Sequence, residues 1–349
     1  MRYVIYGAGG VGGVIGARLM QHGQEVVLVA RGAHLEALQK RGLVFRSPHE
    51  TVTLEVQAVG HPDQIEFRPD DVVFLTMKTQ HTLAALRALH GSAGEEIAVV
   101  CCQNGVANEH MAADLFRHVY GMVVILPASH LAPGEVDTEA TACGGILDAG
   151  CYPSGTDERI EAVTVDLEAC GFSARPEPAV MRWKYAKLLM NVLNGMQAVC
   201  ELGPDARDLI RQLRREALDC YKAAGIDCAT AEEVRERRGD LIQMAPVAGR
   251  SRSGGSSWQS LARGTGDIEA DYLNGEIVLL GQLHGVPTPA NRVVQRVATR
   301  MARERAAPAS LPLAELREMI ASEPDWAPAA LRPERIKRTH KSSATKLIS

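Results

Sequence analysis

The first thirty-one residues, MRYVIYGAGGVGGVIGARLMQHGQEVVLVAR, constrain this chain more than any other stretch. Arg2 to Tyr6 is short and mostly apolar, as a strand buried on both faces requires. Gly7, Gly9 and Gly12 then supply G-x-G-x-x-G, and residues 14–21 continue with apolar positions at helical spacing. Gly23 closes that helix, and residues 25–30 read as a second buried strand. In a strand–loop–helix of this kind the first glycine permits a tight turn. The second lets the backbone approach a pyrophosphate, and the third lets helix and sheet pack closely. The helix N-terminus offers unpaired N–H groups to the phosphates. The loop Gly7, Ala8, Gly9, Gly10, Val11 and Gly12 is therefore a candidate dinucleotide site.

The end of the second strand discriminates between cofactors. NAD sites place Asp or Glu there for the ribose hydroxyls; this chain has Ala30-Arg31-Gly32. A guanidinium accommodates a 2′-phosphate through charge-assisted hydrogen bonds, whereas a carboxylate repels it. Arg31 predicts NADP.

The alternation continues beyond this unit. Residues 71–76, 97–102 and 119–126 read as buried strands, with helices over 79–90 and 107–116 between them. Short strands are expected at 43–46 and 51–59, and a hairpin from 135–140 and 144–149. The pattern predicts a parallel sheet with helices on both faces. A helix over 157–170 follows, and Pro176 and Pro178 mark a boundary. Beyond it only helical patterns occur, over 183–199, 205–224, 231–244, 266–284 and 290–305. Thr288-Pro289 reads as an N-cap followed by proline at the first helical position. Three regions are expected: a dinucleotide-binding domain over 1–178, an all-α domain over 179–308, and a tail over 309–349 that is loosely ordered in its basic part.

A length of 349 residues suits two domains, and a formal net charge of −4 implies no nucleic-acid partner. No apolar run reaches the ~18 residues of a membrane span. The first strand begins at Met1, so no signal peptide is expected and the chain is expected in the cytoplasm. The eight cysteines form no C-x-x-C and no zinc spacing, and no metal is expected. Cys101 and Cys102 are adjacent in a strand, so their side chains should point to opposite faces.

Four further places could carry chemistry. Lys78 and Gln103-Asn104-Gly105 each follow a buried strand, where open α/β sheets bind ligands. Lys78 can meet an anion, and Asn104 can hydrogen-bond a ribose, a nicotinamide or a substrate; a solvated lysine and an ordinary turn are the bland readings. Lys187 and Asn191 lie four apart on one helical face, with Lys184 on that side too, unless the stripe simply faces water. Finally, a Ser/Gly-rich loop containing Ser256 and Ser257 could bind a carboxylate. Glu269 could orient a substrate hydroxyl, or be merely solvated.

Taken together, GAGGVG, the ARG after the second strand, the strand-end MK, QNG, WKYAKLLMN and the late EADYLNG resemble the ketopantoate reductases, NADPH-dependent 2-dehydropantoate 2-reductases. The resemblance runs from Met1 to about Arg305. It implies a Rossmann domain, an all-helical domain and an active site in the cleft between them, with a small 2-oxo acid as substrate. It also implies that the helical domain can pair with a second copy. By position, Lys187 matches the family's general acid and Glu269 its acidic residue at the substrate hydroxyl. Asn191, Ser257 and Asn104 match substrate-side positions, and Lys78 and Asn104 cofactor-side ones. The chain departs where the family commonly has a second Asn eight residues past the lysine: Gly195 stands there, with Asn194 one place early. Two further readings remain open: a reductase of another 2-oxo acid or imine, and an NADP-binding regulatory protein without turnover.

Overall fold

The computed structural model describes residues 1–141, 143–247 and 254–324. The elements run β1 (Arg2–Tyr6), α1 (Gly10–Gln21), β2 (Glu25–Val29), α2 (Gly32–Arg41), β3 (Leu43–Arg46), β4 (Thr51–Leu54) and β5 (Gln57–Val59). Next come β6 (Asp71–Leu75), α3 (Thr82–Ala93), β7 (Ala98–Cys101), α4 (Asn108–Ala113), β8 (His118–Ile125), β9 (Ala128–Ser129), β10 (Glu135–Thr138), β11 (Ile146–Cys151) and α5 (Glu158–Ala169). The remaining helices are α6 (Val180–Val199), α7 (Arg207–Ala224), α8 (Ala231–Arg238), α9 (Ser256–Ala262), α10 (Asn274–His284), α11 (Pro289–Arg303) and α12 (Leu313–Ser322).

The chain forms two compact units. Among the described residues, the first holds 1–188 and 228–247, and the second 189–227 and 254–324. The change of unit therefore falls inside α6, ten residues after Pro178. Residues 228–247 return to the first unit for identifiable reasons. Arg182 at the start of α6 grips Glu233 of α8 through two bonds, at 2.8 and 2.9 Å. Arg237 grips the buried Asp148 of β11 at 2.7 and 2.6 Å. Met244 forms a β-bridge with Ala140. The helix expected over 231–244 stops at Arg238, where Gly239 takes a positive φ of 42°.

In the first unit a seven-stranded sheet has the order β11-β8-β7-β6-β1-β2-β5. It is parallel except for β11, which runs antiparallel to β8. Successive strands leave β1 in opposite directions, to β2 on one side and β6 on the other, so a switch point opens at the carboxyl ends of β1 and β6. Strand alternation separates the two cysteines as expected: Cys101 lies in the apolar cluster on one face and Cys102 in the cluster on the other.

A second, four-stranded sheet has the order β4-β3-β10-β9. Two expectations change here. Residues 51–59 are two strands in different sheets, since β4 pairs with β3 and β5 with β2. The expected hairpin does not form, because β10 pairs with β3 and β9 while β11 joins the large sheet.

The second unit is helical. Here α10 packs on α7 and α11, and α9 and α12 on α11. Thr288 occupies the N-cap of α11 without a side-chain cap bond. The buried Glu216 of α7 does that work instead, accepting from the N–H groups of Ala290 and Asn291, each at 3.0 Å. The stretch expected as tail begins with α12, which buries Leu316 and Ile320; its basic part, beyond residue 324, lies outside the described residues. No helix among the described residues is long and apolar enough to cross a membrane.

Candidate active site

The glycine-rich loop leaves β1 at the switch point. Gly7 has φ +111°, and a Cβ there would stand 2.7 Å from the backbone nitrogen of Met77. A Cβ on Gly12 would collide with the Thr76 hydroxyl and the Gly7 carbonyl. Gly13 faces the other way, where a Cβ would lie 2.5 Å from Val136 of β10. So α1 is packed against both sheets, which is why the sequence carries more glycines here than the motif needs. Gly9 caps α1 in extended geometry with no side-chain cap, and a Cβ on it would meet nothing within 4 Å. Gly9 thus faces open space, and the following amides of Gly10, Val11 and Gly12 begin a helix with no acidic residue in its first turn. A pyrophosphate fits this arrangement: open room, free amides and a favourable dipole. Arg31 is exposed at the N-cap of α2, close enough that its charge opposes the upward push of burial on the Tyr6 phenol.

One contact to the loop was not anticipated. His34 of α2 accepts the Gly134 N–H at Nδ1, 2.9 Å, so Nε2 carries the proton and donates to the Ala8 carbonyl at 2.7 Å. Burial and the neighbouring His130 ring, 4.3 Å away, push its imidazole below the ordinary value. No local sequence pattern signals this contact, because it spans 100 positions to Gly134.

At the carboxyl ends of β7 and β8 lie the Gln103–Asn104 turn and α6. Lys187 donates to Asn104 Oδ1 at 2.8 Å and also to the Val124 carbonyl. Asn108 secures the turn from the other side, donating to the Asn104 carbonyl at 3.2 Å. Lys184, one turn earlier, does not face water: it is 3% exposed and pairs with the fully buried Glu109 at 2.5 Å. Lys78 directly precedes a single 3₁₀ turn, Thr79–His81, after β6.

In the second unit, Asn191 is buried on α6. The expected Ser-rich loop is in fact the start of α9, and it buries Ser257 at 2% exposure, its hydroxyl without a hydrogen-bond partner among the described residues. Ser256 accepts from Asn194 at 3.3 Å. Glu269 opens a 3₁₀ turn, Glu269–Tyr272, and is buried rather than solvated. Gly195 packs so tightly that a Cβ would stand 2.5 Å from Asn274 Oδ1 and 2.9 Å from Val294.

Two family models match the chain: ketopantoate reductase PanE/ApbA over residues 3–153, and its C-terminal counterpart over residues 179–302. A 2-dehydropantoate 2-reductase of Archaeoglobus fulgidus is 29% identical over 84% of this chain and 95% of the relative. One from Pyrococcus horikoshii is 27% identical over 83% and 94%. Among solved structures, a PanE/ApbA family ketopantoate reductase from Ralstonia eutropha JMP134 is 25% identical, with a TM-score of 0.73 covering 87% of this chain and 99% of that one. A D-mandelate dehydrogenase solved with NADH and anilino(oxo)acetate shares the fold at 20% identity, with a TM-score of 0.75 and the same coverage.

Proposed function

The chain belongs to the ketopantoate reductase PanE/ApbA family, and from that premise we propose that it reduces 2-dehydropantoate to pantoate with NADPH. The observation that carries this reading is the Lys187 ammonium, held by Asn104 and the Val124 carbonyl at the carboxyl edge of the sheet.

When bound, the nicotinamide supplies a hydride to the substrate carbonyl carbon. The rest is the work of this chain's residues. The amides at the start of α1 hold the pyrophosphate, and Arg31 holds the 2′-phosphate. Lys78 and Asn104 serve the cofactor side. Lys187 stabilises negative charge growing on the carbonyl oxygen and gives that oxygen a proton from Nζ; water restores the ammonium. The Asn104 amide oxygen and the Val124 carbonyl both accept from Nζ and so fix where the ammonium stands. The unpartnered Ser257 hydroxyl is suited to the substrate carboxylate, with Asn191 beside it in role and Glu269 on the substrate hydroxyl.

Gly195 favours a second reading, a reductase of another 2-oxo acid. The family's Asn cannot stand where a single Cβ already meets Asn274 and Val294, so a substrate contact is missing or supplied otherwise. The fold does not choose between the two, since D-mandelate dehydrogenase shares it. The test is a panel of 2-oxo acids turned over with NADPH and with NADH. Strong preference for 2-dehydropantoate supports the first reading; turnover of other acids alone replaces it with the second. Binding of NADPH with no turnover of any acid overturns both.

A further inference from the structure

The Lys184–Glu109 pair has no part in the chemistry described above, yet it is a deeply buried ion pair one helical turn from Lys187. Lys184 is 3% exposed and Glu109 0%. Besides Glu109, Lys184 Nζ donates to the Gln103 carbonyl at 3.0 Å and reaches those of Cys101 and Met122, both at 3.4 Å. Burial pushes the Glu109 carboxyl up while the adjacent ammonium opposes that push. The pair packs beside Gly121 of β8, where a Cβ would stand in ordinary contact with it, 3.4 Å from Glu109 and 3.5 Å from Lys184.

A buried ion pair is poor value for stability, because desolvating two charges offsets most of their attraction. Its geometry suggests a different use. Lys184 and Lys187 lie three apart on α6, so they are neighbours on its surface. Each takes a carbonyl from β8, at Met122 and Val124, two residues apart along one strand. Each also takes an acceptor from consecutive residues of the turn, Gln103 and Asn104. Lys184 thereby staples α6 and the turn to the sheet at the place where Lys187 emerges, and Glu109 cancels the charge that the staple brings beside a second ammonium.

We propose that the Lys184–Glu109 pair is the positioning element for Lys187, fixing helix and turn so that the Lys187 ammonium meets Asn104 at the sheet edge. The proposal rests on Lys187 being the proton donor. The test is the double variant Lys184→Met/Glu109→Gln, which removes both charges and keeps both lengths, assayed as the full chain. A misplacement on the order of 1 Å costs up to about 100-fold in rate, so kcat falls at least tenfold. The fall in kcat exceeds the change in either KM, since the pair reaches dinucleotide and 2-oxo acid only through the Asn104 turn. Proton delivery becomes slower, so the solvent deuterium effect on kcat rises.

The comparison is Arg237→Met/Asp148→Asn, which deletes another buried pair of the same unit and leaves kcat unchanged. Wild-type kcat in the Lys184/Glu109 variant overturns the proposal, and so does an equal loss in both pair variants. If the double variant does not accumulate in folded form, Glu109→Asp is read in the same way: a fall in kcat larger than the change in KM supports the proposal, and wild-type kcat overturns it. Lys187→Ala separates this from the parent reading. Wild-type rate there removes the general acid itself, whatever the pair does.

Discussion

Lys187 Nζ and Asn104 Oδ1 meet at 2.8 Å, joining residues 83 positions apart in the chain. On the proposed reading this contact aims the ammonium at the oxygen on which negative charge grows. Lys187→Ala should lower kcat by about 100- to 1,000-fold, the range for losing one preorganised donor. Asn104→Ala leaves the lysine in place but less well aimed, and costs about tenfold, the worth of one hydrogen bond. Steady-state rates of nicotinamide oxidation on the preferred acid measure both, and an equal loss in the two variants contradicts the assignment.

On the proposed reading Arg31 selects NADPH over NADH. Arg31→Asp replaces a partner of the 2′-phosphate with a repelling charge. The ratio of kcat/KM for NADPH over NADH should fall by about 10- to 100-fold, as for one charge-assisted bond of about 1.5–3 kcal/mol. The check is that ratio itself, since a general loss of activity moves both terms together.

Ser257 keeps a buried hydroxyl without a partner among the described residues. Ser257→Ala removes an unsatisfied polar group, so the folded chain should be unchanged or stabilised, by up to about 1 kcal/mol. The KM for the 2-oxo acid should rise at the same time, while that for the dinucleotide holds. Thermal unfolding and substrate titration together read the opposed changes; a destabilised variant with unchanged KM makes Ser257 a packing residue only.

His34 makes the site acid-sensitive. Its folded imidazole lies below the ordinary value of about 6.5, because burial and His130 disfavour the cation. Its contribution to stability is fully present above the ordinary value and is lost as pH falls through the lowered folded value, where the unfolded chain binds a proton that the folded one resists. Protonation also puts a second N–H on Nδ1, facing the Gly134 N–H. The unfolding midpoint should therefore drop on acidification from pH about 7 to about 5. His34→Gln should flatten that slope relative to the parent chain.

What the sequence made legible was local. The strand, glycine turn and helix of residues 2–21 are specified by neighbours, and they form as read. The breaks that escaped reading depend on distant partners. Residues 51–59 divide because β4 and β5 are claimed by different sheets. The helix expected over 266–284 starts only at Asn274, after a 3₁₀ turn that ends at Tyr272. At the site, helical spacing put Lys184 on the side of Lys187, but its burial depends on a carboxylate 75 positions earlier at Glu109, and no window of sequence contains both. The cap of α11 is similar: Thr288 has the right residue type, yet Glu216 takes the amides.

The grip of both sheets on α1 has a thermodynamic corollary. A glycine loop on a free helix would have to surrender its mobility on meeting a nucleotide. Here that mobility was given up during folding, since Gly12 and Gly13 already touch opposite walls. On the proposed reading, association then carries little ordering cost on the protein side, and affinity tracks amide dipoles and the guanidinium rather than chain freezing.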